Sequence, residues 1–309
     1  MRAGEIVDDP RFEKILRCPA CDGVRLRPAR RGTIGAVTLN PEAFKITDRH
    51  YGKVWDLSVC ADCGHLFADP SPRPPFIASL YAAVEDPLYE SEAEGRAVNF
   101  LPILRRLSRF APPGGRLFDV GAATGILLAL AKRHGWRVDG IDASAWAARR
   151  AAERHGIPLR QGSFETAELP AGAYQAVTMI DLIEHTPTPR AVVAKAARIL
   201  APGGVLGLVT PDIHSPAALL AGRLWWHLRP GHLAYFSRSS LDALLAAAGF
   251  RVVLRRRYAW TFSAHYLASR FGILAHFTAS SRSSFLKEIP VKLTLGDSFE
   301  IYAVKESRS

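Results

Sequence analysis

From Arg116 onward, short apolar runs alternate with amphipathic stretches. RLFDV leads into ILLALAKRHG, RVDGID into SAWAARRAAERHG, YQAVTMID into PRAVVAKAARIL, and GVLGLVTP into SRSSLDALLAAAG. Strand followed by helix, repeated, predicts a parallel sheet covered on both faces. FRVVLRRRY and SFEIYAVKE are the last two strands, a hairpin-like pair interrupted by about forty residues. Between residues 76 and 110 the apolar side chains recur at three- and four-residue steps, with Arg96, Arg105, Arg106 and Arg109 between them, which predicts a helical connector. Residues 1–75 lack that periodicity and are broken by turns such as CPACDG and ADPSPRPP, so they read as a small separate module. The expected fold is α/β: a Rossmann-like seven-stranded sheet with helices on both faces, preceded by this module.

Composition sharpens the picture. Of 309 residues, 48% are hydrophobic and 22% charged, enough to bury a full core, which excludes general disorder. The net charge of +11 is unevenly placed: residues 1–97 carry 13 basic and 15 acidic side chains, so the excess of positive charge belongs to the rest. No segment reaches 18 apolar residues without a charge or a proline, and the start, MRAGEIVDDPRFEKIL, lacks a signal-peptide core, so a cytoplasmic protein is expected.

All four cysteines fall in two C-x-x-C pairs, Cys18/Cys21 and Cys60/Cys63, 38 residues apart. Two such turns can each offer two thiolates to one tetrahedral ion, and four sulfur ligands indicate structural zinc closed to substrate. A redox pair is the competing reading.

The segment RLFDVGAATG places Asp119 at the carboxyl end of the first strand of the sheet, then Gly121, Ala123 and Gly125 as the chain turns into a helix. In open parallel sheets ligands bind at that edge. A dinucleotide site would want a glycine at Ala123 and no acid facing the pyrophosphate. Asp142, followed by Ala143, ends the second strand and suits two ribose hydroxyls. In LRQGSF, Ser163 and Phe164 offer a polar contact and an apolar face for a purine. An amine, a ribose and a base with no phosphate clamp describe S-adenosylmethionine.

Through DVGAATG, GIDAS, QGSFETAELP, VTMIDLIEH and ILAPGGVLGLVTP, residues 111–257 resemble class I S-adenosylmethionine-dependent methyltransferases. The resemblance implies that Asp119 and Gly121 lie near the methionine portion, that Asp142 binds the ribose, and that Ser163 and Phe164 flank the adenine. It makes residues 111–309 the methyltransferase domain, with a basic, aromatic insertion at about 258–292.

Methyl transfer needs an in-line approach to an activated methyl sulfonium, so positioning supplies much of the acceleration. A hydroxyl or acidic carbon also needs a base. The strand VTMID ends in Asp181, Glu184 and His185 at the same sheet edge. His185 is the candidate base, since an unperturbed imidazole titrates near neutrality, and Asp181 is expected to touch the donor or the acceptor. The segment WWHLRPGHLAYF, with Trp225, Trp226, His227, His232 and Tyr235, is expected to cover the acceptor side, as pocket wall or as packed lid. His232 and Tyr235 match positions that recur in small-molecule and sugar-modifying relatives.

A zinc ribbon ahead of a methyltransferase domain is similar to bacterial sugar C-methyltransferases, although those carry a further C-terminal domain. The acceptor is therefore expected to be a small or lipid-linked anionic molecule, such as a sugar, a glycan precursor or a secondary metabolite. Ribosomal RNA is the alternative, and a non-catalytic binding protein on the same fold a third reading. A nucleic-acid enzyme needs a basic path reaching the site, and the cysteine module is net negative. Positive charge is densest between Arg251 and Lys292, interleaved with Tyr258, Trp260, Phe262, Tyr266, Phe271 and Phe277. That segment could meet a phosphate-bearing acceptor or an anionic membrane surface, or be an ordinary solvated face.

Overall fold

The computed structural model describes residues 9–34, 39–270 and 289–306. Three antiparallel strands, β1 (Leu26–Arg30), β2 (Leu57–Cys60) and β3 (Leu66–Ala68), form the first sheet, and helices α1 (Pro74–Ala82) and α2 (Ala93–Leu107) follow. Strand and helix then alternate: β4 (Arg116–Val120), α3 (Ile126–Arg133), β5 (Arg137–Asp142), α4 (Ala145–His155), β6 (Arg160–Gln161), β7 (Tyr174–Ile180), α5 (Pro189–Ile199) and β8 (Leu200–Pro211). The chain continues through β9 (Ala234–Tyr235), α6 (Arg238–Ala247), β10 (Phe250–Arg257), β11 (Trp260–Ser263), α7 (Ala264–Arg270), β12 (Pro290–Leu293) and β13 (Ser298–Lys305).

The large sheet has seven strands in the order β10-β13-β8-β7-β4-β5-β6. Strands β4 to β8 run parallel, while β13 is antiparallel to both β8 and β10. The sheet and the terminal pair are thus as expected. The third short strand is only two residues long, because LRQGSF turns away at Gly162, where φ is +134°. The insertion after β10 begins as an antiparallel pair, β11 with β12. Residues 271–288, including Phe271 and Phe277, lie outside the described residues.

One face of the sheet packs against α2 and α3 through Leu104, Leu107, Leu117 and Leu128. The other packs against α5 and α6 through Val193, Ala196, Leu241 and Leu244, and this cluster also contains Cys18, Cys60, Cys63 and Phe67 of the N-terminal module. The module therefore shares its core with the large domain. Its sheet is completed by β9, which pairs Ala234 with Phe67 and Tyr235 with Leu66. A third cluster joins Phe44, Trp55 and Leu57 to Trp225, Leu228 and Tyr235.

At the outer part of the sheet, Arg106 of α2 reaches Glu300 of β13 at 2.6 Å, and Tyr302 donates to the same carboxylate oxygen at 2.6 Å. Glu300 is almost fully buried, so removing its cation would leave a charge without compensation. Arg106→Met should cost about 3 kcal/mol in urea unfolding, and Arg106→Met/Glu300→Met should recover much of that loss. Additive losses would show that the pair does not act as a unit.

Candidate functional site

Strands β4 and β7 are neighbours, yet the chain leaves β4 toward β5 and β7 toward β8, so their carboxyl ends border the crevice where such sheets bind ligands. A cleft of about 200 Å³ opens there. Gly121, Ala123, Asp142, Ala143, Ser163 and Phe164 line its floor and far wall. Its roof comes from Phe44 and Ile46 of the N-terminal module and from Ile77 and Tyr81 of α1.

The loop after β4 is held from below. Asp142 accepts hydrogen bonds from the Ala123 backbone N–H at 2.7 Å and from that of Ser144 at 2.8 Å. Desolvation nonetheless raises its carboxyl above the usual range. Gly121 has φ of +73°, a conformation that favours glycine, and a Cβ on it would stand 2.7 Å from Leu182 Cδ1, so a larger residue would have to displace that side chain. Ala123 takes a left-handed conformation, φ +46°, pinned by the bond to Asp142. The Thr124 hydroxyl is buried at the cleft without a partner. The Ser163 hydroxyl is engaged by Glu165 at 2.5 Å, while Phe164 is buried.

Behind Gly121 lies a second cavity of about 110 Å³. Gly121, Ala123, Asp181 and His185 line both spaces, so the two meet at these residues. Asp119, Glu184, His227, Arg229, His232 and Trp260 line only the second. Asp119 accepts from the Thr178 hydroxyl at 2.6 Å, and Asp181 Oδ1 has no partner. Burial pushes both carboxyls up to about 7.

Glu184 accepts from Thr210 Oγ1 at 2.9 Å through Oε2, and its Oε1 has no partner. Burial raises its carboxyl well above the usual range. His185 Nδ1 lies 2.6 Å from the Tyr81 hydroxyl, which stands 3.5 Å from the Gly231 carbonyl. If the hydroxyl hydrogen points to that carbonyl, its oxygen accepts from Nδ1–H and the Nε2 lone pair is left toward the cavity. Burial holds this imidazole down to about 3 and holds His232 low as well. Arg229 donates to the Lys45 and Ile46 carbonyls and to Asp48 of the N-terminal module.

The four cysteine sulfurs converge within 4.8 Å of one another. Cys18 and Cys63 stand 3.7 Å apart, Cys21 and Cys60 3.6 Å. Bonds of about 2.3 Å from a tetrahedral ion place its sulfurs about 3.8 Å apart, whereas a disulfide needs about 2 Å. The donor set and the spacing fit one ion.

A sequence family described as Methyltransferase domain matches residues 89–255, more than half of the chain. The chain belongs to this methyltransferase-domain family. Among curated relatives, the ubiquinone biosynthesis O-methyltransferase of Cronobacter sakazakii is 34% identical over 152 residues, covering 46% of this chain and 62% of that protein. The protein of the same name from Sodalis glossinidius is 36% identical over 114 residues, covering 35% and 46%. The chain thus spans about half to three fifths of these relatives. Among solved structures, a putative methyltransferase of Haloferax volcanii, in complex with the Trm112 methyltransferase activator, superposes with a TM-score of 0.50 at 15% identity, covering 70% of this chain and 94% of that one. That likeness is one of fold.

Within the methyltransferase domain, the structure gathers most of the residues expected from sequence. Two stand apart. Gly125 lines neither cavity: with φ of +78° it starts α3, and its missing Cβ makes room for Ala151 of α4. Tyr235 is buried in β9 against the N-terminal sheet and also lines neither. Asp119 lies beneath the glycine loop, in the second cavity only. In the segment 225–236, Trp225 packs in the core while His227 and His232 face the second cavity, so it is lid and wall at once. Sequence reasoning missed Tyr81, which sits in an unremarkable apolar helix, and Arg229, which lies between two flagged histidines.

The Tyr81 contact predicts one tautomer. Long-range proton–nitrogen NMR should find His185 neutral and protonated on Nδ1 from about pH 5 to 8. Tyr81→Phe should move the population toward the Nε2–H form, and an unchanged spectrum would contradict the contact.

Proposed function

We propose that the protein transfers a methyl group from S-adenosylmethionine to a hydroxyl of a small or lipid-linked acceptor, with a sugar, a glycan precursor and a secondary metabolite as the candidate classes. The observation that carries this reading is the junction: a roofed cleft at the switch point opens, at Gly121, Ala123, Asp181 and His185, onto a buried polar cavity. The family match and the O-methyltransferase names of the relatives support it.

The residues of the cleft fit the donor. Asp142 retains lone pairs for ribose hydroxyls, Phe164 and Ile77 offer apolar faces for a base, and Asp181 Oδ1 is an orphaned acceptor at the junction. S-adenosylmethionine, when bound, supplies a methyl group activated by a positive sulfur. The protein's part is to hold the acceptor oxygen in line and to draw off its proton. His185 offers its Nε2 lone pair to the acceptor hydroxyl and draws off that proton as the oxygen takes the methyl group from sulfur, and Asp181, which lines the same junction and titrates near neutrality, is matched to take the proton on from the imidazole. Arg96, stacked on Tyr89 at 3.7 Å, lines the second cavity and would favour an anionic acceptor. We further propose zinc on Cys18, Cys21, Cys60 and Cys63, where it would hold the N-terminal sheet and, through β9, the segment that carries His232.

Three outcomes test this. Calorimetry should detect S-adenosylmethionine binding, weakened about 10-fold or more by Asp142→Ala; a donor that does not bind would leave only a scaffold. His185→Ala should cut turnover about 100-fold with little change in donor affinity. Removing zinc with a chelator should release one metal per chain and speed hydrogen exchange in residues 225–236 as well as in the cysteine turns; exchange confined to those turns would argue against the coupling.

A further inference from the structure

The second cavity gathers His185 Nε2, which the proposed methyl transfer uses as a base and which on an ion would act as a ligand instead, with two donor groups, Glu184 and His232, that the transfer does not require. One donor atom each from Glu184, His185 and His232 lies within 4.8 Å of the others. For each side chain the second polar atom is already engaged. Thr210 donates to Glu184 Oε2, Tyr81 holds His185 Nδ1, and His232 has a hydrogen bond with the His227 backbone. What remains is Glu184 Oε1 and His232 Nδ1, both buried without a partner, and His185 Nε2. The two imidazoles meet edge to face with centroids 4.6 Å apart.

We propose that Glu184, His185 and His232 bind a divalent transition-metal cation, whose open positions face the second cavity and take the acceptor oxygen. Two imidazoles and one carboxylate suit a first-row divalent ion, and three protein ligands leave positions for an acceptor. Bonds of about 2.1 Å would draw the donor atoms to about 3.0–3.5 Å from one another, a contraction within reach of side-chain rotation. The outer contacts are those that orient ligands in metal sites: a tyrosine behind one imidazole and a threonine behind the carboxylate.

The surroundings tolerate the charge. Among the described residues, Arg96 and Arg229 line this cavity; Arg229 is paired with Asp48, and Arg96 stacks on Tyr89. Glu184 and Asp181 line the same cavity and supply carboxylates that would offset the ion. A metal-bound acceptor hydroxyl would be more acidic, its O–H bond breaking with the proton passing to Asp181.

This inference rests on the proposed acceptor site, but its test does not need the acceptor. The full chain, with zinc on its cysteines, is titrated with Mn²⁺ and the free ion followed by electron paramagnetic resonance. One Mn²⁺ per chain is expected, and Glu184→Gln and His232→Asn should each weaken binding about 100-fold. No uptake up to about 1 mM, or uptake unchanged in both variants, would overturn the site. Should the variants fold poorly, Co²⁺ added to the zinc-loaded wild type decides. Weak visible bands without a thiolate charge-transfer band support the site, and no bands, or only thiolate bands, refute it. Calorimetry with S-adenosylmethionine on the same samples separates the claims: donor binding without metal refutes only the cation, and metal binding without donor refutes only the transferase reading.

Discussion

The pairing of β9 with β3 is the contact on which the site depends. It is two residues long, but it anchors a segment clamped on both sides. Trp55 Nε1 donates to the Pro230 carbonyl, Gly52 N–H to that of Leu228, and Ala68 N–H to that of Leu233. From the other side, Leu233 N–H donates to the Glu184 carbonyl at 2.8 Å. The segment with His227, Arg229 and His232 therefore hangs between the N-terminal sheet and the end of β7. A buried backbone must find partners, and here the module supplies them. Its cysteine cluster is thus structurally continuous with the wall of the second cavity.

Closure by the module has an electrostatic consequence. With water excluded, desolvation favours the neutral form of every group in the second cavity, raising Asp119, Asp181 and Glu184 and lowering His185 and His232. Of the two arginines that line the cavity among the described residues, Arg229 is offset by Asp48. A positively charged ligand at the junction would reverse this balance. It would stabilise the carboxylates, so its binding would be linked to proton release.

The order of strands and helices was legible because the central strands β4, β7 and β8 read as short apolar runs and each crossover helix carries a stripe. The glycine loop, Asp142 and the Asp181–His185 segment were legible for a related reason: topology brings all of them to one sheet edge. What could not be read was anything made by contacts between distant parts. Tyr81 reaches His185 across 104 residues of chain, and Arg229 reaches Asp48 across 181. No local pattern marks either. Gly125 and Tyr235 line neither cavity, and the space around them is packing although their motif positions look chemical.

The placement of charge leads to a similar distinction between count and arrangement. Strand β10 and its neighbours are rich in arginine, yet Arg255 is paired with Asp242 and Arg257 with Asp212, and both guanidiniums lie over the Phe299 ring. Arginines already committed to carboxylates offer little to a polyanion, whose grip depends on free cations in a continuous track. The cations that face the reacting end are Arg96 and Arg229, within a cavity of about 110 Å³ roofed by another module. On the proposed reading, paired arginines and a small chamber suit an acceptor that enters by its own reacting end, and a duplex or folded RNA would have to extrude a nucleotide to reach it.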